Sequence, residues 1–141
     1  MRVFLDTNIL MDVAQGREPF YENSAEVIRF VHQENMQAFI SWHSMATIFY
    51  ILNKPWGDEK TKSYLRDILS WSKLAPTSQS SALKALEMEG EDFEDDLQIQ
   101  CALAANCDCI CTRNTKDFKK SPIPALSPTE FLVRYNPALG D

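Results

Sequence analysis

The chain alternates short apolar runs with longer segments whose apolar residues recur at helical spacing, and this rhythm predicts its elements. Arg2-Val3-Phe4-Leu5 reads as a first strand, stopped by Asp6-Thr7-Asn8, residue types that suit turns and helix starts. Ala25, Ile28 and Val31 predict an amphipathic helix over about residues 22–34, beyond Gly16 and Pro19. Ala38-Phe39-Ile40 is a second strand. After Ser41, residues Met45, Ile48, Phe49 and Leu52 mark a helix broken by Pro55 and Gly57. A further helix over about 58–72 carries Tyr64, Leu65, Ile68 and Leu69 on one buried stripe, and Lys73-Leu74-Ala75-Pro76 follows as a brief strand. Residues 77–89 form a short helix bearing Leu83 and Leu86, closed by the acidic turn Glu89-Gly90-Glu91-Asp92. Leu97, Cys101, Ala104 and Ala105 predict the buried stripe of a helix over about 94–106, which feeds a strand over 107–112. Pro122 and Pro124 confine the run ending at Leu126 to a sheet edge. Ser127-Pro128-Thr129-Glu130 then places a serine cap, a proline and a glutamate where a helix begins.

Strands alternating with helices imply an α/β fold with a parallel sheet covered on both faces. No repeat, low-complexity tract or linker interrupts the pattern, so residues 1–141 are expected to form one domain. The net charge of −6 argues against a protein that coats nucleic acid through its overall field, so a polyanionic partner must be handled locally. No run is long and apolar enough for a bilayer, and the start of the chain lacks a basic segment followed by a secretory apolar stretch, which points to a cytoplasmic protein without membrane contact. Cys101, Cys107, Cys109 and Cys111 lack the paired C-x-x-C spacing of zinc knuckles. Alternation at 107, 109 and 111 would instead put three thiols on one strand face, packed as small apolar groups.

In open parallel sheets ligands bind beyond the carboxyl ends of the strands. Asp6 stands at such an end, Asn114 and Asp117 follow another, and Asp92-Phe93-Glu94-Asp95-Asp96 enters a helix whose preceding turn can lie over the same edge. Carboxylates gathered in a partly dry cleft repel one another unless a cation compensates them, and hard oxygen ligands suit Mg²⁺ or Mn²⁺. Such a centre can hydrolyse a phosphodiester. Arg113, Lys116, Lys119 and Lys120 form the densest basic cluster and can hold phosphates beside it. Each piece also has a plainer reading: Asp6 as a helix cap, Asp92 with Asp95 as an acidic capping box, Asp117 as a turn residue and the basic cluster as a solvated loop. Trp42, Tyr50 and Trp56 can stack on bases, although aromatic residues at helical spacing more often pack in a core. His43 has no nucleophile or carboxylate partner by spacing and receives no catalytic role.

Three blocks in order, Val3-Phe4-Leu5-Asp6-Thr7-Asn8-Ile9-Leu10, Asp92-Phe93-Glu94-Asp95-Asp96-Leu97-Gln98 and Thr112-Arg113-Asn114-Thr115-Lys116-Asp117-Phe118, resemble PIN-domain proteins, and the likeness runs on through Ser127-Pro128-Thr129-Glu130-Phe131. The resemblance implies a three-layer α/β/α sandwich with a short parallel central sheet and a Mg²⁺- or Mn²⁺-dependent ribonuclease site, as in the toxins of VapBC-type toxin–antitoxin pairs. It implies Asp6, Asp95 and Asp117 as metal ligands, assisted by Asn114. Asp92, Asp96 and Asn8 are implied as auxiliary ligands or as groups supporting them, and Arg113 and Lys116 as contacts to the RNA backbone. Cleavage would leave a 5′ phosphate and a 3′ hydroxyl, and an antitoxin and a homodimeric partner are further implications. The chain departs from the family where many active relatives carry a glutamate early in the helix after strand two: here Thr47 stands, with no acid between Ser41 and Pro55. Asn114 likewise stands where aspartate is frequent. Fewer fixed negative charges weaken Mg²⁺ retention, so the same pattern also describes a PIN-like module that has lost catalysis and binds RNA or a protein. An aspartate-based phosphotransfer protein is a third reading of Asp6 after a strand, without the Asp-x-Asp spacing of one phosphatase class.

Overall fold

A computed structural model describes residues 1–136 and 138. Five parallel strands, β1 (Arg2–Leu5), β2 (Gln37–Ile40), β3 (Ser72–Leu74), β4 (Cys109–Cys111) and β5 (Ala125–Leu126), form one sheet in the order β3-β2-β1-β4-β5. The helices α1 (Thr7–Gln15), α2 (Tyr21–Gln33), α3 (Trp42–Trp56), α4 (Asp58–Trp71), α5 (Gln79–Glu87), α6 (Phe93–Ala104) and α7 (Pro128–Tyr135) flank it, with a 3-10 turn at Thr115–Phe118. This is the three-layer α/β/α arrangement expected of the sequence.

β1 is central and covered on both sides, which is why Val3, Phe4 and Leu5 read as an unbroken apolar run rather than an alternating one. Their side chains nonetheless alternate: Val3 and Leu5 join the core beneath α1–α4 and α7, while Phe4 joins the opposite core with Ile99, Ala102 and Phe118. Val3 pairs with Ala38 and Cys109, and Leu5 with Cys111, so the ends of β1, β2 and β4 lie level. Immediately after them stand Asp6, Ser41 and Thr112, all buried. Ser127 caps α7 in a complete capping box with Glu130. No helix among the described residues is long and apolar enough to cross a membrane.

Several expectations change. All four thiols are buried, but β4 is shorter than expected: Cys109 and Cys111 share one core, and Cys107, ahead of the strand, packs in the other. Leu83 and Leu86 are exposed, and α5 packs against α6 through Ala85. On α6 the buried face is Asp95, Asp96, Gln98, Ile99, Cys101 and Ala102, and Ala104 faces outward, because the helix packs polar groups over the edge of the sheet as well as apolar ones over its face. Leu69 lies partly exposed at the margin of the α4 stripe. Pro55 sits inside the last turn of α3 rather than beyond it.

Candidate active site

Asp6 ends β1 and caps α1, accepting from the Asn8 backbone amide at 3.3 Å. The cap leaves most of its capacity for partners from elsewhere in the chain. Oδ1 also accepts from Gln98 Nε2 of α6 at 3.0 Å, and Oδ2 accepts from Thr112 Oγ1 beyond β4 at 2.7 Å. These bonds fix the carboxylate at 2% exposure, and burial raises its pKa although Thr112, Gln98 and the Asn8 amide oppose the rise.

α6 brings its first turn to the same place. Asp92 is its N-cap and accepts from the Glu94 backbone amide at 2.9 Å. The next three acids splay as consecutive helix positions must. Glu94 faces His43, with Oε1 at 3.1 Å from Nε2, and its Oε2 accepts from Gln98 Nε2 at 3.0 Å. Asp95 is buried against Glu94 and close enough to Asp6 to feel its charge. Asp96 turns the other way, where Oδ2 accepts from the Gly90 backbone amide at 3.1 Å. Any Cβ at Gly90 would overlap the Asp96 carboxylate, so glycine is required for that approach.

Burial first, then a hydrogen bond to Glu94 and the charges of Asp6, Glu94 and Asp92, push the Asp95 carboxyl up to about 8. Burial acts on Glu94 in the same direction but is outweighed by the hydrogen bond and charge of His43, by Asp95 and by Gln98, so its pKa is lowered. Within the pair the higher pKa falls on Asp95 and the lower on Glu94. A carboxyl whose pKa rises on folding takes up a proton, so the metal-free protein should lose stability as pH climbs from about 4 to about 8 through this group. Urea midpoints measured in chelator should fall across that window, and Asp95→Asn should flatten the slope; an equal slope in the variant would refute the assignment.

His43, Gln98 and Glu94 are central here, although the sequence assigns the first two no role and places Glu94 only within the acidic block. His43 does have a carboxylate partner, correcting the expectation from spacing, because Glu94 lies 51 positions away and only the fold unites them. The i, i+4 spacing of Glu94 and Gln98 was the one local signal available. Thr47 lies one turn beyond His43, donating to its carbonyl at 3.3 Å, so no acid enters from α3.

The remaining candidates spread out. The Asn114 backbone amide donates to Thr112 Oγ1 at 3.0 Å, which connects it to Asp6 through one hydroxyl. Asp117 is exposed on the 3-10 turn, lining a cavity of about 140 Å³ with Gly90, Asp96, Lys116 and Lys119. Lys120 donates from Nζ to the Met88 and Glu89 carbonyls and so fastens the α5–α6 loop. Asn8 reaches Asp6 through its backbone. Arg113, expected as a phosphate contact, is engaged internally: its Nε donates to Asp12 Oδ2 at 2.9 Å and its guanidinium lies over the Phe20 ring, so in this structure it serves α1.

Among the described residues, no three His, Cys, Asp or Glu side chains are grouped so that they could hold a metal ion. The donor chemistry of Asp6 and Asp95 nevertheless fits a divalent cation. Both are buried hard-oxygen donors, neither is paired with Lys or Arg among the described residues, and the raised Asp95 carboxyl registers the uncompensated charge.

A family model described as a PIN domain matches residues 2–116. Ribonuclease VapC1 of Aquifex aeolicus (strain VF5) is a homologue, 29% identical over 140 residues that span 96% of each chain. Among solved structures, VapBC2 from Rickettsia felis bound to a promoter DNA fragment superposes with a TM-score of 0.68 at 24% identity, over 90% of this chain and 98% of the other. VapBC-1 from nontypeable Haemophilus influenzae gives 0.61 at 17% identity, over 92% and 99%.

Proposed function

The chain belongs to the PIN-domain family, and from that membership we propose that it is a divalent-metal-dependent endoribonuclease, the toxin member of a pair with a small antitoxin protein. The observation that carries this reading is the meeting of Asp6 and Asp95 at the carboxyl edge of the sheet, buried and with neither paired to a lysine or arginine among the described residues. Asp6 and Asp95 would hold the ion, Mg²⁺ or Mn²⁺, with Asp117 and Asn114 drawn in from the β4 side. When bound, the ion supplies Lewis-acid polarisation and charge neutralisation at a phosphodiester.

The chain's own groups do the positioning. Thr112 and Gln98 hold the two Asp6 oxygens in fixed directions, so little reorganisation is needed on loading. His43 and Gln98 hold Glu94 ionised next to Asp95, and Asp95, whose pKa is raised, would have to be deprotonated to act as a ligand beside Asp6. Lys116 and Lys119, on the 3-10 turn and just beyond it, would take the RNA phosphates without displacing an internal contact. The solved relatives are toxin–antitoxin complexes, which supports an antitoxin as partner; a homodimer belongs to the same reading.

The test is a Mn²⁺ and Mg²⁺ titration with structured and unstructured RNAs. Cleavage should appear with the metal, vanish on chelation and leave 5′ phosphates. Thr47 favours a second reading, a PIN-like module that binds without turnover. RNA or antitoxin binding with no cleavage at saturating metal would select it and reject the first.

A further inference from the structure

Beside the acid cluster, the same edge of the sheet carries a second, chemically different recess. A cavity of about 190 Å³ opens where α3 and α5 begin, lined by Trp42, His43, Ser78, Ser81, Leu97 and Cys101. It lies beyond the carboxyl ends of β2 and β3, since α3 follows β2 directly and the α5 cap Ser78 follows β3, while Asp6 follows the neighbouring β1. His43 belongs to both places, lining the cavity and bonding Glu94.

Trp42 is 64% exposed at the first position of α3 and forms one wall of this recess. Trp56, by contrast, is a packing residue, edge-on to Tyr64 at 5.6 Å. The recess offers apolar walls from Trp42, Leu97 and Cys101 and hydroxyls from Ser78 and Ser81, but no lysine or arginine. That combination suits a flat ring with a polar rim and does not suit a phosphate. Its volume is below that of ordinary small-molecule sites, which run from about 300 Å³, and is in proportion to a single ring system. The cations, Lys116 and Lys119, lie on the opposite side of the α6 amino terminus, near Asp96.

We propose that the recess beside Trp42 receives one unpaired nucleobase of the RNA strand, stacked on the indole, while the adjoining phosphate lies over Asp6 and Asp95. The inference rests on the ribonuclease reading and deepens it by assigning a residue, Trp42, and a recess to one base of the strand. A strand crossing the edge of the sheet would place its base over β2 and β3, its scissile phosphate over β1 and its following phosphates at the 3-10 turn after β4.

Binding of fluorescein-labelled single-stranded oligoadenylate to the Asp6→Asn protein tests the recess separately from catalysis. Trp42→Ala should weaken binding about 5- to 150-fold, the range for loss of one base–aromatic stack. Trp42→Phe should recover most of it, and a fully paired RNA duplex should be indifferent to both changes. Oligoadenylate should also quench tryptophan fluorescence in the parent more than in Trp42→Phe. In the cleaving protein, Trp42→Ala should raise KM and leave kcat nearly unchanged. The proposal is overturned if the parent does not bind the oligonucleotide, or if Trp42→Ala binds it equally well. Loss of antitoxin binding with RNA binding intact would also overturn it and assign this face to the protein partner. Failure of the ribonuclease reading shows differently, as no metal-dependent cleavage by the unaltered chain.

Discussion

Asp6→Asn and Asp95→Asn should each reduce metal-dependent RNA cleavage on the order of 10³-fold or more, while the metal-free proteins stay folded and are at least as stable as the parent. The two halves of this result follow from one cause. Asp6 is buried with its pKa raised, so its charge costs stability in the absence of a cation. An asparagine keeps the shape and, through Oδ1, keeps the bonds from Gln98 and the Asn8 amide. Only the bond with Thr112 changes sense, with the new amide donating to a hydroxyl that already accepts from the Asn114 backbone, a loss of about 1 kcal/mol. Asp95→Asn similarly retains a donor toward Glu94. A residue kept only as a helix cap would show the reverse pattern, with activity per folded molecule unchanged. Thermal unfolding in chelator beside initial rates in Mn²⁺ distinguishes the cases, and Mn²⁺ should raise the melting temperature of the parent more than that of either variant. Full activity in both asparagine variants would remove the acid cluster from the chemistry.

The sheet and most helices are legible in the sequence because they rest on local patterns: the apolar run of β1, the helical spacing on α3, the serine cap of α7. Asp6 and Asp95 are legible because strand ends and helix starts are themselves local features. The wiring between them is not. His43 and Glu94 meet only because β2 lies beside β1 and α6 crosses the same edge, a fact of strand order that spacing does not encode. The direction of each acid on α6 is also hidden, since Glu94, Asp95 and Asp96 are equally acidic in sequence and differ only in which neighbour each meets. Trp42 shows the same gap from the other side: its spacing resembles that of core positions, and only the fold shows it left uncovered.

Arg113 carries the largest expected effect on stability. Asp12 is completely buried, and its partners are Arg113 at 2.9 Å, Ser24 at 3.5 Å and Arg17 at 3.8 Å. Oδ1 has no hydrogen-bond partner in the structure, so Arg113 provides the closest compensation for this charge. Arg113→Met should therefore destabilise the protein near neutral pH by up to about 3–5 kcal/mol, the cost of leaving a buried charge wholly unpaired, less whatever Arg17 at 3.8 Å retains. Burial already raises the Asp12 pKa, with Arg113 the main opposing influence. Without the guanidinium, the carboxyl takes up its proton at higher pH, so the deficit of the variant should shrink as pH falls. Asp12→Asn should cost less, because the Arg113 side chain is 22% exposed and can turn its charge to water. The double variant should be more stable than Arg113→Met alone, which is the coupling a double-mutant cycle in urea would read. An arginine gripping RNA predicts otherwise: a raised KM, unchanged unfolding and no coupling to Asp12.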